Sequence, residues 1–229
     1  DANACGPAVI YPSDSSSGLS LNYNWAVAPT SGVVVSGSNS STPQFSFSSP
    51  TQDSIVYSIF LQLTDANGCI DTFRRSISIY PKPLAGFTPS NVDSCGPLMV
   101  HFANVSQSKL TGQTRATMQF DWTFGNGQAS NDSTPVVTFT NTGVVDSTYF
   151  VQLIATNSLG CSDTLVDSIT VRPDPRATLD TSTTKGCTPF TINDSVAWAF
   201  DYPQANSSYQ WTVMDWPSLT VLQTFTGAT

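Results

Sequence analysis

The chain has 229 residues, 39% hydrophobic and 10% charged, with a formal net charge of -8, so it is composed to fold and not to stay disordered. Its 16 acidic residues, all Asp, outnumber 8 Lys and Arg, which excludes a phosphate-backbone partner (no nucleic acid) and docking on an anionic membrane. No apolar run approaches the ~20 residues of a membrane-spanning helix, so direct membrane insertion is not expected. Glu is absent, while Ser, Thr, Val, Phe, Asn and Gly are plentiful, which favours strands and turns over helices.

In chain order, Cys5-Gly6-Pro7 opens a short apolar alternation over residues 8–11. The opening recurs as Cys95-Gly96-Pro97 and Cys187-Thr188-Pro189, at offsets of 90 and 92 residues. Proline there can sit at the first residue of a strand without breaking a ladder. In the second copy Val100, Phe102 and Val105 are expected to supply one face, with an irregularity near Ala103.

A Trp strand follows three times: Tyr23-Asn24-Trp25-Ala26-Val27, Phe120-Asp121-Trp122-Thr123-Phe124 and Tyr209-Gln210-Trp211-Thr212-Val213. Alternation at period two marks half-buried strands, and Trp25, Trp122 and Trp211 are read as core anchors. Trp198 and Trp216 fall off this register and are the better candidates for exposed aromatics. Gly125-Asn126-Gly127 suits a tight hairpin. It is no phosphate loop, because no Lys-Ser/Thr follows. A short strand at 136–139 precedes the long strand at 149–156, whose counterpart lies at 59–64; the two share Leu61-Gln62-Leu63 and Val151-Gln152-Leu153.

Gly68 and Gly160 turn the chain into the clearest repeat. The 17 residues from Cys69 to Ala85 match those from Cys161 to Ala177 at eight positions, all offset by 92. Each copy reads as a closing strand and a stiff Pro-x-Pro joint, Pro81-Lys82-Pro83 and Pro173-Asp174-Pro175. A period this long means an array of whole domains. The expected division is residues 1–83, 84–175 and 176–229, roughly two and a half modules. The first lacks the strand that residues 85–88 supply to the second, and the third stops before its Gln-Leu strand. The chain thus reads as an excerpt of something longer. Seven or so short strands per module with frequent turns point to an all-β chain of tandem β-sandwiches.

Trp122-Thr123-Phe124-Gly125-Asn126-Gly127 resembles the W-D-F-G-D-G signature of PKD domains, which are Ig-like modules. The strand near residues 149–157, the Leu-Gly-Cys-Ser-Asp-Thr turn at 159–164 and the Cys-Gly-Pro-Leu opening at 95–98 resemble PKD-like repeats of large bacterial surface proteins. The signature departs from the family at Thr123 and Asn126, where acidic residues are usual. The resemblance implies stalks and adhesive regions of very long secreted proteins, including gliding and attachment adhesins.

The five cysteines form two series: Cys5, Cys95 and Cys187 precede opening strands, and Cys69 and Cys161 precede closing strands. In an exported protein they are disulfide candidates. The simplest pairing is within a module, Cys5 with Cys69 and Cys95 with Cys161. An Ig-like topology disfavours it, because it puts those two positions at opposite poles, about 20 Å apart, whereas a disulfide needs Cα atoms within ~7 Å. The resemblance therefore favours an inter-module bond between Cys5 and Cys161, with Cys95 expected to bond a cysteine of the third module beyond Thr229.

Catalytic constellations are missing from the sequence. The only histidine is His101, expected on the outward face of a strand, and no CxxC or HExxH spacing suggests zinc. No cofactor is expected; a weak calcium site is a secondary reading of Asp71, Asp163 and Asp174. Of 16 Asp, ten precede Ser or Thr, against about four by chance, and such hydroxyls are possible glycan sites. The pattern Asp-Ser/Thr-apolar resembles the O-glycosylation sequon of bacteria that carry these repeats. Ser54, Thr164, Ser168 and Ser195 fit it best; Thr72, Ser133 and Ser147 fit less well. The bland reading is that repeated strand starts favour Asp-Ser/Thr.

The function these observations imply is a non-catalytic structural and adhesive segment of a long cell-surface protein, extracellular, whose partners are neighbouring modules and possible surface polysaccharide or other cells. Two alternatives remain: a subunit of a self-assembling extracellular filament, completed by a strand from a neighbour, and the polysaccharide-presenting accessory region of a secreted hydrolase.

Overall fold

The structure is a computed structural model that describes residues 2–174, 208–214 and 218–228. The first repeat contributes β1 (Ala2–Cys5), β2 (Ala8–Ile10), β3 (Asn22–Ala28), β4 (Val33–Ser36), β5 (Gln44–Phe47), β6 (Ile55–Thr64) and β7 (Ile70–Tyr80). The second contributes β8 (Phe87–Pro89), β9 (Asp93–Cys95), β10 (Leu98–Asn104), β11 (Gln119–Thr123), β12 (Ala129–Ser130), β13 (Val136–Phe139), β14 (Ser147–Thr156) and β15 (Ser162–Arg172). Among the described residues a single 3-10 turn, Arg115–Thr117, precedes β11. A hairpin of β16 (Ser208–Met214) and β17 (Val221–Ala228) follows.

The chain is all-β among the described residues, and its repeats are Ig-like sandwiches. One sheet of the first repeat has the order β1-β7-β6-β3 and the other β2-β5-β4. In the second repeat the orders are β12-β11-β14-β15-β9 and β13-β10-β8. Both repeats pair the Trp strand with the Gln-Leu strand, that strand with the closing strand, and the closing strand with a parallel opening segment. The register repeats too: Trp25 lies opposite Leu61 and Trp122 opposite Leu153.

Contacts divide the chain into two compact units. The larger is Asp1–Val92, Met99–Phe139 and Thr148–Ile169. Its first aromatic core is built by Trp25, Phe45, Phe47 and Tyr57, with Ile59, Leu61, Ile77 and Ile79. Its second centres on Trp122, 1% exposed, with Phe87, Phe102, Phe124 and Phe139 around it. Each indole N–H donates to a loop carbonyl, Trp25 to Ser40 at 3.0 Å and Trp122 to Asp132 at 2.9 Å. Satisfying that one polar atom is what lets so large a ring be buried.

The smaller unit is Asp93–Leu98, Thr140–Ser147 and Thr170–Thr229. In it β9 runs parallel to the last residues of β15, with Asp93 opposite Thr170 and Cys95 opposite Arg172. Arg172 grips Asp93 bidentately, with contacts of 2.9 and 2.6 Å. The buried Asn141 amide donates to the carbonyls of Val145 and Val171, at 2.7 and 2.8 Å.

The Gly-Asn-Gly turn has a steric reason. Gly125 has φ 70°, and a Cβ there would lie 2.8 Å from the carbonyl oxygen of Phe150. Only glycine fits that left-handed backbone pressed against the neighbouring strand.

One sequence expectation is corrected. Val105 does not face inward: β10 alternates regularly from Leu98 through Val100 and Phe102 to Asn104, all buried, and its pairing with β8 carries no irregularity at Ala103. The amide side chain of Asn104 holds the last inward place because its Oδ1 accepts from Ser106 N at 2.9 Å, closing a local turn that ends the strand. After the third Trp strand, β17 pairs antiparallel with β16, placing Phe225 opposite Trp211.

Trp122→Ala removes the centre of the second aromatic cluster. It is expected to destabilise the chain by about 3–5 kcal/mol in urea or thermal unfolding.

Candidate functional site at a stapled joint

The two closing-strand turns are built alike. In the second repeat Asn157 N donates to Cys161 O at 2.9 Å, and Asn157 Oδ1 accepts from Leu159 N and Cys161 N, each at 3.0 Å. In the first, Asp65 N donates to Cys69 O at 3.0 Å, and Asp65 Oδ1 accepts from Asn67 N at 2.8 Å and Cys69 N at 2.9 Å. An Asx side chain thus folds each turn and presents the following cysteine.

The Asx side chains that fold the two turns differ in one terminal group. Asn157 has an amide donor left over, and its Nδ2 bonds the carbonyl of Pro81 at 2.9 Å in a buried contact. Asp65 has only oxygens and cannot make that bond. Its carboxyl is held below the usual carboxylate value, first by the backbone N–H of Cys69.

Around the Asn157 turn the repeats are tied together. Cys5 and Cys161 form a disulfide with Cα atoms 5.6 Å apart across a sequence separation of 156. The two repeats are therefore linked across the joint and not each within itself. Asp163 Oδ2 accepts from Ala85 N, just past the Pro-x-Pro segment, at 2.9 Å. Farther along, Asp53 Oδ1 and Oδ2 accept from Thr111 N and Thr111 Oγ1, both at 2.6 Å. Asp53 N donates to Lys109 O at 2.8 Å, and Gln52 Nε2 donates to Thr111 Oγ1 at 3.1 Å. The Thr111 hydroxyl, then the Thr111 N–H, hold the Asp53 carboxyl below its usual value.

Cys69 and Cys95 are exposed free thiols, and Cys187 lies outside the described residues. Trp25 and Trp122 are buried; Trp211 lies on β16, its side chain outside the described set, as are Trp198 and Trp216. His101 is exposed on β10. Among the described residues no group of three or more His, Cys, Asp or Glu comes together to hold a metal. Asp163 is engaged with Ala85, Asp71 Oδ1 accepts from Thr72 N at 2.8 Å, and Asp174 is exposed. Of the hydroxyls read as glycan candidates, Ser54, Thr72, Ser133 and Thr164 are exposed, Ser147 and Ser168 are half-buried, and Ser195 lies outside the described residues.

Sequence reasoning missed Asp53, Thr111 and Asn157. The only sequence signal for Asn157 is its substitution by Asp65 in the sister turn.

The pairing defines a class, tandem Ig-like β-sandwich repeats with a covalent tie between neighbours. No protein-family model matches the chain, and no curated protein matches it. Among solved structures it is similar to the PKD1 domain of the Vibrio cholerae metalloprotease PrtV, at 28% identity over 40% of this chain and 98% of that one, with a TM-score of 0.31. It is similar also to the PKD1 domain of Vibrio anguillarum Epp, at 26% identity over 41% and 96%, TM-score 0.32. The fibronectin(III)-like modules of Clostridium thermocellum CbhA align at 10% identity over 75% and 90%, TM-score 0.37.

Because the folded Asp53 carboxyl is lowered, its bonds to Thr111 contribute fully above the ordinary carboxylate value and are lost as pH falls through the folded one. The protection factor of Thr111 N against hydrogen exchange is expected to fall as the pH drops below the ordinary carboxylate value in the native chain. In Asp53→Asn this step is absent.

Proposed function

We propose that this chain is a non-catalytic mechanical and adhesive segment of a long secreted cell-surface protein, in which each joint between repeats is stapled. The observation that carries this reading is the Cys5–Cys161 disulfide between the opening of one repeat and the closing turn of the next. A metabolic enzyme has no need of a covalent tie between two successive sandwiches. A chain under tension does, because the tie diverts force around everything it encloses. The bond also supports an extracellular location, since structural disulfides persist in oxidising compartments.

The hydrogen bonds of Asn157, Asp163 and Asp53 support the same reading. They set the two repeats at one joint, whereas a Pro-x-Pro segment alone only limits the reach of the chain. The partners proposed are neighbouring repeats of the same array and, along the acidic surface, polysaccharide or other cells.

Pulling on the two ends in a single-molecule force experiment tests the mechanical claim. The residues between Cys5 and Cys161 are bypassed while the bond is intact. Adding a reductant is expected to release roughly 550 Å of additional contour length, at ~3.5 Å per residue. Equal extension before and after reduction contradicts the proposal.

A further inference from the structure

The first repeat carries a strand that the second does not. Its Trp25 indole reaches Ser40 across 15 residues, whereas Trp122 reaches Asp132 across only 10. In the second repeat the shorter stretch makes the Gly125-Asn126-Gly127 turn and β12, which joins β11 in the larger sheet. In the first repeat the longer stretch makes β4, which joins β5 in the smaller sheet. β4 is thereby the edge of the order β2-β5-β4, while β13, the counterpart of β5, has no such strand beside it among the described residues.

Both ends of β4 are pinned by chain of the same repeat. Before it, Tyr57 Oη donates to Ser31 O at 2.9 Å, and Ser48 N donates to Gly32 O at 2.8 Å. After it, Ser40 N donates to Gly37 O at 3.0 Å, and Trp25 N donates to Ser38 O at 2.8 Å. The Ser48–Gly32 bond also fixes which backbone groups are free, because it continues the register of Val33 opposite Phe47 and Val34 opposite Ser46. In an antiparallel ladder, residues alternate between bonding their partner and turning away. Val34 therefore bonds β5, and Val33 and Val35 turn their N–H and C=O to the open edge. The side chains of Val33 and Val35 pack on the core, while that of Val34 is 67% exposed on the outer face.

Natural edge strands are guarded by charges, proline or a bulge. The second repeat follows this rule: β8 ends in Pro89, and β9 begins with Asp93. β4 does not. It reads Val33-Val34-Val35-Ser36, its register with β5 is regular, and from Ser15 through Gln52 the chain carries no charged residue. With a net charge of -8, two copies of this chain repel each other over much of their surface. The uncharged edge is where they can approach.

We propose that β4 is a self-association edge whose partner is β4 of a second copy of this chain. The strands run antiparallel about a two-fold axis at Val34. Val33 pairs with Val35 of the second copy, and Val35 with its Val33, each pair exchanging both backbone hydrogen bonds. The Val34 side chains meet on the outer face, their Cα atoms ~4.5 Å apart. The smaller sheet then continues from one copy into the other. A contact through one short strand is small, so the dimer is weak and forms at high local concentration. The inference goes beyond the stapled joint, since none of these residues takes part in its disulfide or its hydrogen bonds.

Sedimentation and amide exchange of the full chain test this between roughly 10 μM and 1 mM. Exchange at Val33 and Val35 is expected to slow as concentration rises, while exchange at Val34, whose N–H is bound to β5, stays unchanged. Val34→Lys sets like charges against each other and should weaken association about tenfold or more. Its unfolding midpoint should match that of the native chain, because the side chain is exposed. Mixing Val34→Lys with Val34→Asp should restore the association that each lacks alone, since opposite charges then meet across the axis. The proposal is overturned if the chain stays monomeric throughout, if Val34→Lys associates like the native chain, or if the mixed variants do not pair. It is also overturned if the chain dimerises with both edge amides unprotected, which places the contact elsewhere, or if both are already protected in the monomer, which means that the edge is covered within the chain.

Discussion

The bond between Cys5 and Cys161 is the constraint on which the paired repeats depend. It closes a separation of 156 residues, and because loop entropy grows only with the logarithm of length it constrains the unfolded chain by just ~0.8 kcal/mol more than an intramodule bridge of Cys5 to Cys69 would. It also decides geometry. The Asx turn at Asn157 must hold Cys161 against the end of β1, and the same turn places the Asn157 amide on Pro81. A segment of Pro81-Lys82-Pro83 is stiff in itself but free to rotate where it meets each sandwich. The disulfide and three sets of hydrogen bonds take up those rotations.

Charge has a minor part in this arrangement. The chain is sparsely charged, and one ion pair, Arg172 with Asp93, is resolved among the described residues, well exposed to water. Surface pairs of that kind contribute little to stability. The aspartates act instead as hydrogen-bond acceptors: Asp53 for Thr111, Asp65 for the Cys69 turn, Asp163 for Ala85. At Asp65 the short carboxylate reaches the backbone N–H groups two and four residues on, and at all three positions an aspartate loses less side-chain freedom than a glutamate would.

The repeat made much of the fold legible. The Trp strands, the opening strands and the closing strands recur with alternation strong enough to name the inward residues, and Trp25 and Trp122 sit where that alternation puts them. Other features leave no periodic trace. Asn104 takes an inward place because of a local bond to Ser106, which polarity alone argues against. The Asp53–Thr111 contact joins residues 58 apart in loops that share no pattern. In the turns, Asp65 and Asn157 look interchangeable as turn formers, and only the carbonyl waiting at Pro81 separates their roles.

Peptide mapping of the native chain under non-reducing conditions tests the central claim most directly. A Cys5–Cys161 linked peptide, with Cys69 and Cys95 recovered outside any bond to Cys5 or Cys161, is the predicted result. Recovery of Cys5 linked to Cys69, or of Cys95 linked to Cys161, would mean that each sandwich is closed on itself, and would contradict the account of a stapled joint.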